Sequence, residues 1–270
     1  MKTKSKTIVV TGGGAGMGRA IVLELLGRGA NVAAVDINES ALLETKKLAN
    51  VWKENLSTHV LNITDRKAVE LLPGQIIEKH GQVDGLVNNA GIIQPFVKVN
   101  DLEYDVIERV MAIDFYGTLC MTKAFLPYFQ KRDEAHLVNV SSMGGLFPVP
   151  GESIYGAAKA AVKLLTEGLQ AELMNTNVGV TLICPGGIAT DIKFNSGAEK
   201  THMKDDEFQK ALIKPVLPSK AAKIIVDAIE KNKKCVLIGT DIKALSVIYK
   251  LNPGLAKSLI NKQMKSHIPE

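Results

Sequence analysis

Thr7-Ile8-Val9-Val10-Thr11-Gly12-Gly13-Gly14-Ala15-Gly16-Met17-Gly18 decides the fold: a β-branched run breaks directly into a glycine-rich turn, and helical spacing follows from Gly18 to Arg28. A strand feeding a helix through glycines opens a βαβ unit. Glycines at such a turn let the backbone approach a pyrophosphate, which rests against the unpaired N–H groups of the helix N-terminus. The register is T-G-x-x-x-G-x-G rather than the literal G-x-G-x-x-G. The next apolar run, Asn31 to Asp36, ends on an acid 24 residues after Gly12. A carboxylate there accepts hydrogen bonds from the adenosine ribose hydroxyls and repels a 2′-phosphate. Neither Ala15 nor Ile37 supplies a cation to receive that phosphate, so NAD is expected over NADP. Gly12, Gly14, Gly16, Met17, Gly18, Asp36 and Ile37 form the expected first half of a dinucleotide site.

The same alternation runs to the end of the chain. Further strand candidates begin at Ser57, Val83, Ala135, Val178 and Cys235, and helical spacing fills 40–49, 66–80, 104–130, 153–174 and 219–231. Seven strands with helices between them predict an α/β fold, a single-domain parallel doubly wound sheet over about residues 1–240. Most strands are near-continuously apolar, as helices on both faces require. Residues from about 188 to 218 are long and polar where a compact fold uses a short connection, and a lid over the ligand site is expected there. The tail 241–270 holds two amphipathic pieces split by Pro253-Gly254 and reads as an extension rather than a domain. Packing on the parent domain or a sister subunit is its expected role, ahead of a membrane surface.

Composition excludes several classes. With 46% apolar residues in 270, the chain can bury a full core. The net charge of +5 comes mostly from Lys near both ends, and the few aromatics do not interleave with the five Arg, so no nucleic-acid partner is indicated. Cys120, Cys184 and Cys235 are odd in number and far apart, which fits a reducing, cytoplasmic setting rather than a disulfide framework. The five His are scattered and predict no zinc site. No apolar run approaches the roughly 18 residues of a membrane span, and the basic start leads into a strand rather than a signal-peptide core.

Chemistry concentrates in one constellation. Tyr155 and Lys159 stand four apart on a predicted helix and so project from one face, with Ser142 thirteen residues before the Tyr. About half a Y-x-x-x-K is expected by chance in a chain of this composition, so the pair gains weight only from its context. An ammonium beside a phenol favours the phenolate and lowers a pKa of about 10 toward neutral duty. A Ser hydroxyl orients the carbonyl or alcohol oxygen. Ser141 is the neighbouring alternative.

Taken together, Thr11–Gly18, Asp36, Asn62-Ile63, Asn88-Asn89-Ala90-Gly91, Ser142, Tyr155-x-x-x-Lys159 and Pro185-Gly186-Gly187-Ile188-Ala189-Thr190 resemble the classical short-chain dehydrogenases/reductases (SDR) in order and spacing, over about Thr7 to Gly239. The resemblance implies a Rossmann fold with strand order 3-2-1-4-5-6-7 and a homodimer or homotetramer joined through the long helices at 104–130 and 153–174. It implies that Asn62 and Ile63 flank the adenine, that Asn89, Ala90 and Gly91 support the cofactor, and that Pro185, Gly186, Ile188 and Thr190 serve the nicotinamide end. Tyr155 then acts as general acid/base, Ser142 holds the substrate oxygen, and Lys159 tunes the Tyr and binds the nicotinamide ribose.

One position departs from the family: Asp114 stands where a fourth catalytic Asn is usual. Either it keeps a backbone contact and changes little, or its carboxylate shifts the titration of the Lys–Tyr pair. Candidate pocket walls, Gln94 to Val97, Gly144 to Val149, Ile192 and Phe194, are mostly apolar and hold no Arg. A lipophilic secondary alcohol and its ketone are the expected substrates. The rivals are an NAD-binding regulator with little turnover and, given only about thirty residues after the last strand, less readily an isomerase or dehydratase.

Overall fold

A computed structural model describes residues 1–198 and 215–264. Its centre is a seven-stranded sheet of order β3-β2-β1-β4-β5-β6-β7: β1 Thr7–Thr11, β2 Asn31–Asp36, β3 Leu56–Val60, β4 Gly85–Asn88, β5 Ala135–Val140, β6 Val178–Pro185 and β7 Cys235–Ile238. Every pairing is parallel, as between Thr11 and Val35 or Val87 and Val10. The expected order is the observed one. The strand order reverses its direction of growth between β1 and β4, where an open parallel sheet leaves a crevice at its carboxyl edge.

Side-chain alternation along the strands divides the core into two layers. Ile8, Val10, Val32 and Ala34 face Ile21 and Leu25 of α1 (Gly16–Gly27) and Ile225 of the helix Pro218–Glu230. Val9, Ala33 and Val35 face Val69 and Leu72 of α3 (Arg66–His80) and Phe125 and Phe129 of α5 (Thr118–Phe129). Each such side chain, fully buried, contributes roughly 1.5–3 kcal/mol of transfer free energy. The helix α2 (Glu39–Ala49) starts at Asn38, whose side chain accepts from the Ala41 N–H at 3.0 Å, and Asp65 caps α3 in the same way.

The expected helix at 104–130 is interrupted. It runs as α4 (Tyr104–Val110), widens into a π-helical stretch over Met111–Gly117, and resumes as α5. Such widenings concentrate at functional positions, and this one contains Asp114. Below it, a buried polar chain crosses the sheet: Asn88 Nδ2 donates to Asn139 Oδ1 at 2.9 Å and Asn139 Nδ2 to Thr166 Oγ1 at 3.0 Å. It links β4 and β5 to α6 (Ser153–Glu172), the helix that carries Tyr155 and Lys159. Ile192–Asn195 forms a single turn, α7, after β6, so Pro218–Glu230 is α8.

The tail forms two helices, α9 (Thr240–Leu251) and α10 (Pro253–Met264). Ile242 and Ile260 pack with Phe147, Leu182 and Cys184, so one side of the tail rests on the sheet layer. Among the described residues, no helix is long and apolar enough to cross a membrane.

Candidate active site

The glycine turn is shaped by close approach. Gly12 has φ +67°, and a Cβ there would lie 2.9 Å from Asn89 Nδ2 and 3.0 Å from Ala90 Cα. The loops after β1 and β4 are thus pressed together. Thr11 fastens them: its Oγ1 accepts from the Asn89 and Ala90 N–H groups at 3.0 Å each, and its carbonyl accepts from Asn89 Nδ2 at 3.0 Å. Asp36 closes the other side, accepting from the Gly14 N–H at 2.9 Å and the Asn38 N–H at 3.0 Å. Arg19 was not singled out from the sequence, yet its guanidinium holds the Gly14 carbonyl from Nε (2.9 Å) and Nη2 (2.5 Å) and reaches Thr45. Its position just past the glycines was the available signal.

Ile37 is exposed beyond Asp36, and Met17 packs on the core edge. Asn62 makes a local turn, its Oδ1 accepting from the Thr64 N–H at 3.0 Å, and Ile63 is buried behind it. Gly18 is buried at the first turn of α1. Pro185 ends β6, and Gly186 donates to the Ile238 carbonyl at 2.8 Å. Ile188 bridges to Val216, closing the base of the 188–218 excursion. Thr190 stands across from the turn, its Cγ2 3.2 Å from where a Cβ on Gly16 would be. Most of the expected lid, 199–214, lies outside the described residues.

At the ends of β5 and β4 the acid–base residues converge. Ser142 caps a short turn, its Oγ accepting from the Gly144 N–H at 3.2 Å, and its side chain hydrogen-bonds Tyr155. Ser141 is excluded from that role, because its hydroxyl is buried and donates to the Lys159 carbonyl at 2.7 Å. Lys159 Nζ lies 5.8 Å from the centre of the Tyr155 ring, 3.4 Å from the Val140 carbonyl and 3.6 Å from Asp114 Oδ2. Asp114 is fully buried, its Oδ1 accepting from the Ile92 N–H at 2.8 Å. Gly91 is where these groups meet: a Cβ there would lie 2.9 Å from Lys159 Nζ and 3.1 Å from Asp114 Oδ1.

Burial and charge around the phenol oppose the expected lowering of its pKa. Burial pushes the Tyr155 phenol above its ordinary pKa, the Asp114 carboxylate adds to the rise, and the Ser142 hydrogen bond offsets only part of it. The Lys159 ammonium lies 3.6 Å from Asp114 Oδ2. Burial likewise raises the Asp114 carboxyl, against the opposing pull of Lys159 and the Ile92 N–H. Its backbone carbonyl also accepts from Thr118 Oγ1 at 2.8 Å, so both the main chain and the carboxylate of Asp114 are engaged.

Two expected pocket walls have structural duties instead. Gln94 is fully buried; its Oε1 accepts from the Ile154 and Tyr155 N–H groups at 2.9 Å each, and its Nε2 donates to the Gly151 carbonyl at 3.0 Å. It caps α6 where no local side chain does. Phe147 packs against Tyr249 of the tail, ring centres 5.2 Å apart. Ser196 anchors the start of the excursion, accepting from the Ile93 N–H at 3.0 Å and from Arg109 through its carbonyl at 2.6 Å.

A parallel doubly wound sheet with a glycine turn, an acid at the end of β2 and a Ser–Tyr–Lys cluster at the carboxyl edge defines a dinucleotide-binding oxidoreductase class. The family model for short chain dehydrogenase matches residues 6–201, and this chain belongs to that family. It is 34% identical to a putative oxidoreductase, SadH, of Mycobacterium tuberculosis, over 98% of both chains. It is also 34% identical to the 3-oxoacyl-[acyl-carrier-protein] reductase FabG of Thermotoga maritima, over 70% of this chain and 77% of that protein. A short chain dehydrogenase/reductase from Burkholderia phymatum, solved in complex with NAD, superposes with a TM-score of 0.84 at 25% identity, covering 94% of this chain and 96% of that one.

Proposed function

We propose that this chain is an NAD(H)-dependent oxidoreductase that interconverts a lipophilic secondary alcohol and its ketone. The observation that carries the reading is the convergence of Ser142, Tyr155 and Lys159 beside the Gly12–Gly18 turn and Asp36. The residues present fit a dinucleotide: Gly12 and Gly16 both take positive φ in a turn closely approached by Asn89 and Thr190, and Asp36 stands where ribose hydroxyls are received. Gly14, Met17, Gly18, Ile37, Asn62, Ile63, Asn89 to Gly91 and Pro185 to Thr190 line that path. NAD, when bound, supplies a hydride acceptor. The similar Burkholderia structure in complex with NAD, and the Asp36 carboxylate, which repels a 2′-phosphate, favour NAD over NADP.

The chain's own residues then handle the proton. Ser142 holds the substrate oxygen and stabilises charge developing on it. Tyr155 takes the hydroxyl proton during oxidation and returns it during reduction. Lys159 would bind the nicotinamide ribose, while its ammonium also lies 3.6 Å from Asp114 Oδ2. The apolar surroundings, with Ile93, Val110 and Phe96 packed about Tyr155, favour a substrate without charge.

Incubation with NAD, and separately NADP, against a panel of hydrophobic secondary alcohols tests this, with reduced cofactor followed by absorbance. Turnover with NAD is expected, and Tyr155→Phe is expected to remove it by at least about a thousandfold, since the proton then has no carrier. Equal turnover by Tyr155→Phe would sink the mechanism. A second reading, an NAD-binding regulator with little turnover, is favoured by one observation: the 3.6 Å ion pair that draws Lys159 toward Asp114. Tight NAD binding in a thermal shift, without turnover on any alcohol, would select it.

A further inference from the structure

The tail's outer surface carries large apolar side chains exposed to solvent. Leu251 is 81% exposed, equalled among the large apolar side chains described only by Tyr104, and it ends α9 at an exposed corner of Asn252, Pro253 and Gly254. Leu255, just past the corner on α10, is 52% exposed. Each has an exposed apolar neighbour one helical turn away, Val247 on α9 and Leu259 on α10. Lys243 continues the α9 stripe by one more turn, and Lys262 continues the α10 stripe. Lys250 and Lys257 flank the corner itself, both exposed.

No acid interrupts this pattern. Residues 242–264 contain those four Lys and neither Asp nor Glu, and the nearest acid, Asp241, is turned inward to accept from the Gly187 N–H at 2.9 Å. The opposite side of the same helices is fixed to the body by Ile242, Ala256 and Ile260. An apolar corner ringed by lysines, on a rigidly seated pair of helices, matches a surface with an oily interior and an anionic face.

We propose that the α9–α10 corner docks the protein on an anionic lipid bilayer, with Leu251 and Leu255 entering the acyl boundary and the lysines meeting lipid phosphates. A second copy fits less well, because a two-fold contact at this corner would set the same four lysines against themselves with no acid to pair. The sequence ranks membrane contact below packing on the body; the tail satisfies that packing with one side only and leaves the leucines out. The docking does not depend on the proposed reaction.

Sedimentation of the full-length protein with large vesicles tests it, using phosphatidylcholine alone or with about 30 mol% phosphatidylglycerol. Binding to the anionic vesicles is expected at low salt, at least about tenfold stronger than to neutral ones, and weakened by added salt. The double variant Leu251→Ser/Leu255→Ser should lose that binding with an unchanged far-UV spectrum and an unchanged mass by light scattering. Lys250→Glu/Lys257→Glu, which leaves the leucines in place, should abolish the preference for anionic vesicles. No sedimentation with anionic vesicles, or sedimentation indifferent to both variants, overturns the proposal. So does a wild-type oligomer that the serine variant dissociates, which would give the corner to a second copy.

Discussion

Asp114 and the Tyr155 phenolate draw on the same cation. An ammonium set between a buried carboxylate and a phenol cannot stabilise both fully, and here it lies 3.6 Å from Asp114 Oδ2 and 5.8 Å from the centre of the Tyr155 ring. The consequence has a sign. Asp114 negative charge raises the Tyr155 pKa, so it holds the active phenolate back at neutral pH. Replacing Asp114 by Asn removes that charge while keeping an oxygen for the Ile92 N–H. The alkaline rise of the pH–rate profile is expected to move to lower pH, and each pH unit it moves raises the neutral rate about tenfold. Steady-state rates across the pH range measure this; superimposable profiles would show that the carboxylate does not reach the phenol.

An element matters here through what holds its end. The first turn of α6 carries Tyr155, and its N–H groups are capped from sixty residues earlier in the chain by Gln94. Gln94→Ala leaves two buried donors unpaired, at about 1–3 kcal/mol each. A fall in melting temperature is expected, together with at least a tenfold loss of kcat as Tyr155 loses its place. Gln94→Glu keeps the accepting oxygen but sets its second oxygen against the Gly151 carbonyl and adds a buried charge, so it should recover only part of both. If the Ala and Glu variants share the same kcat, Gln94 does not position Tyr155. That cap also marks what the sequence could and could not disclose. The strands were legible because burial on both faces leaves near-continuous apolar runs such as Ile8-Val9-Val10. The glycine turn and the Ser142–Tyr155–Lys159 spacing were legible because each is local. Gln94, Arg19 and the Lys159–Asp114 pair depend on contacts between distant segments. The π-helical stretch at 111–117 escaped for another reason: one widened turn barely disturbs the apolar periodicity on either side.

Stability of the whole molecule should carry an acid limb traceable to one buried imidazole. His136 lies on β5 between the layers, its Nε2 2.8 Å from Thr181 Oγ1, and Thr181 in turn donates to the Lys233 carbonyl. Burial chiefly, with the N-terminal ammonium and Lys234 adding repulsion, holds its pKa down at about 3. In the unfolded chain it returns to about 6.5, so the unfolded state binds the extra proton first. A depressed folded value means stability fully present above pH about 6.5 and lost as pH falls toward about 3, at roughly 1.4 kcal/mol per pH unit inside that window. His59 and His80, both also held down by burial, act in the same direction. Because they persist in a His136→Gln variant, the difference between the two proteins isolates His136. Urea melts from neutral pH down to about pH 4 should show the wild type losing stability faster than the variant, the two curves converging in the acid. Parallel curves would mean that His136 finds a stabilised protonated form inside the sheet, and the acid limb would then belong to the β3–α3 pair of His59 and His80, which share the Ser57 hydroxyl at 2.9 and 2.8 Å.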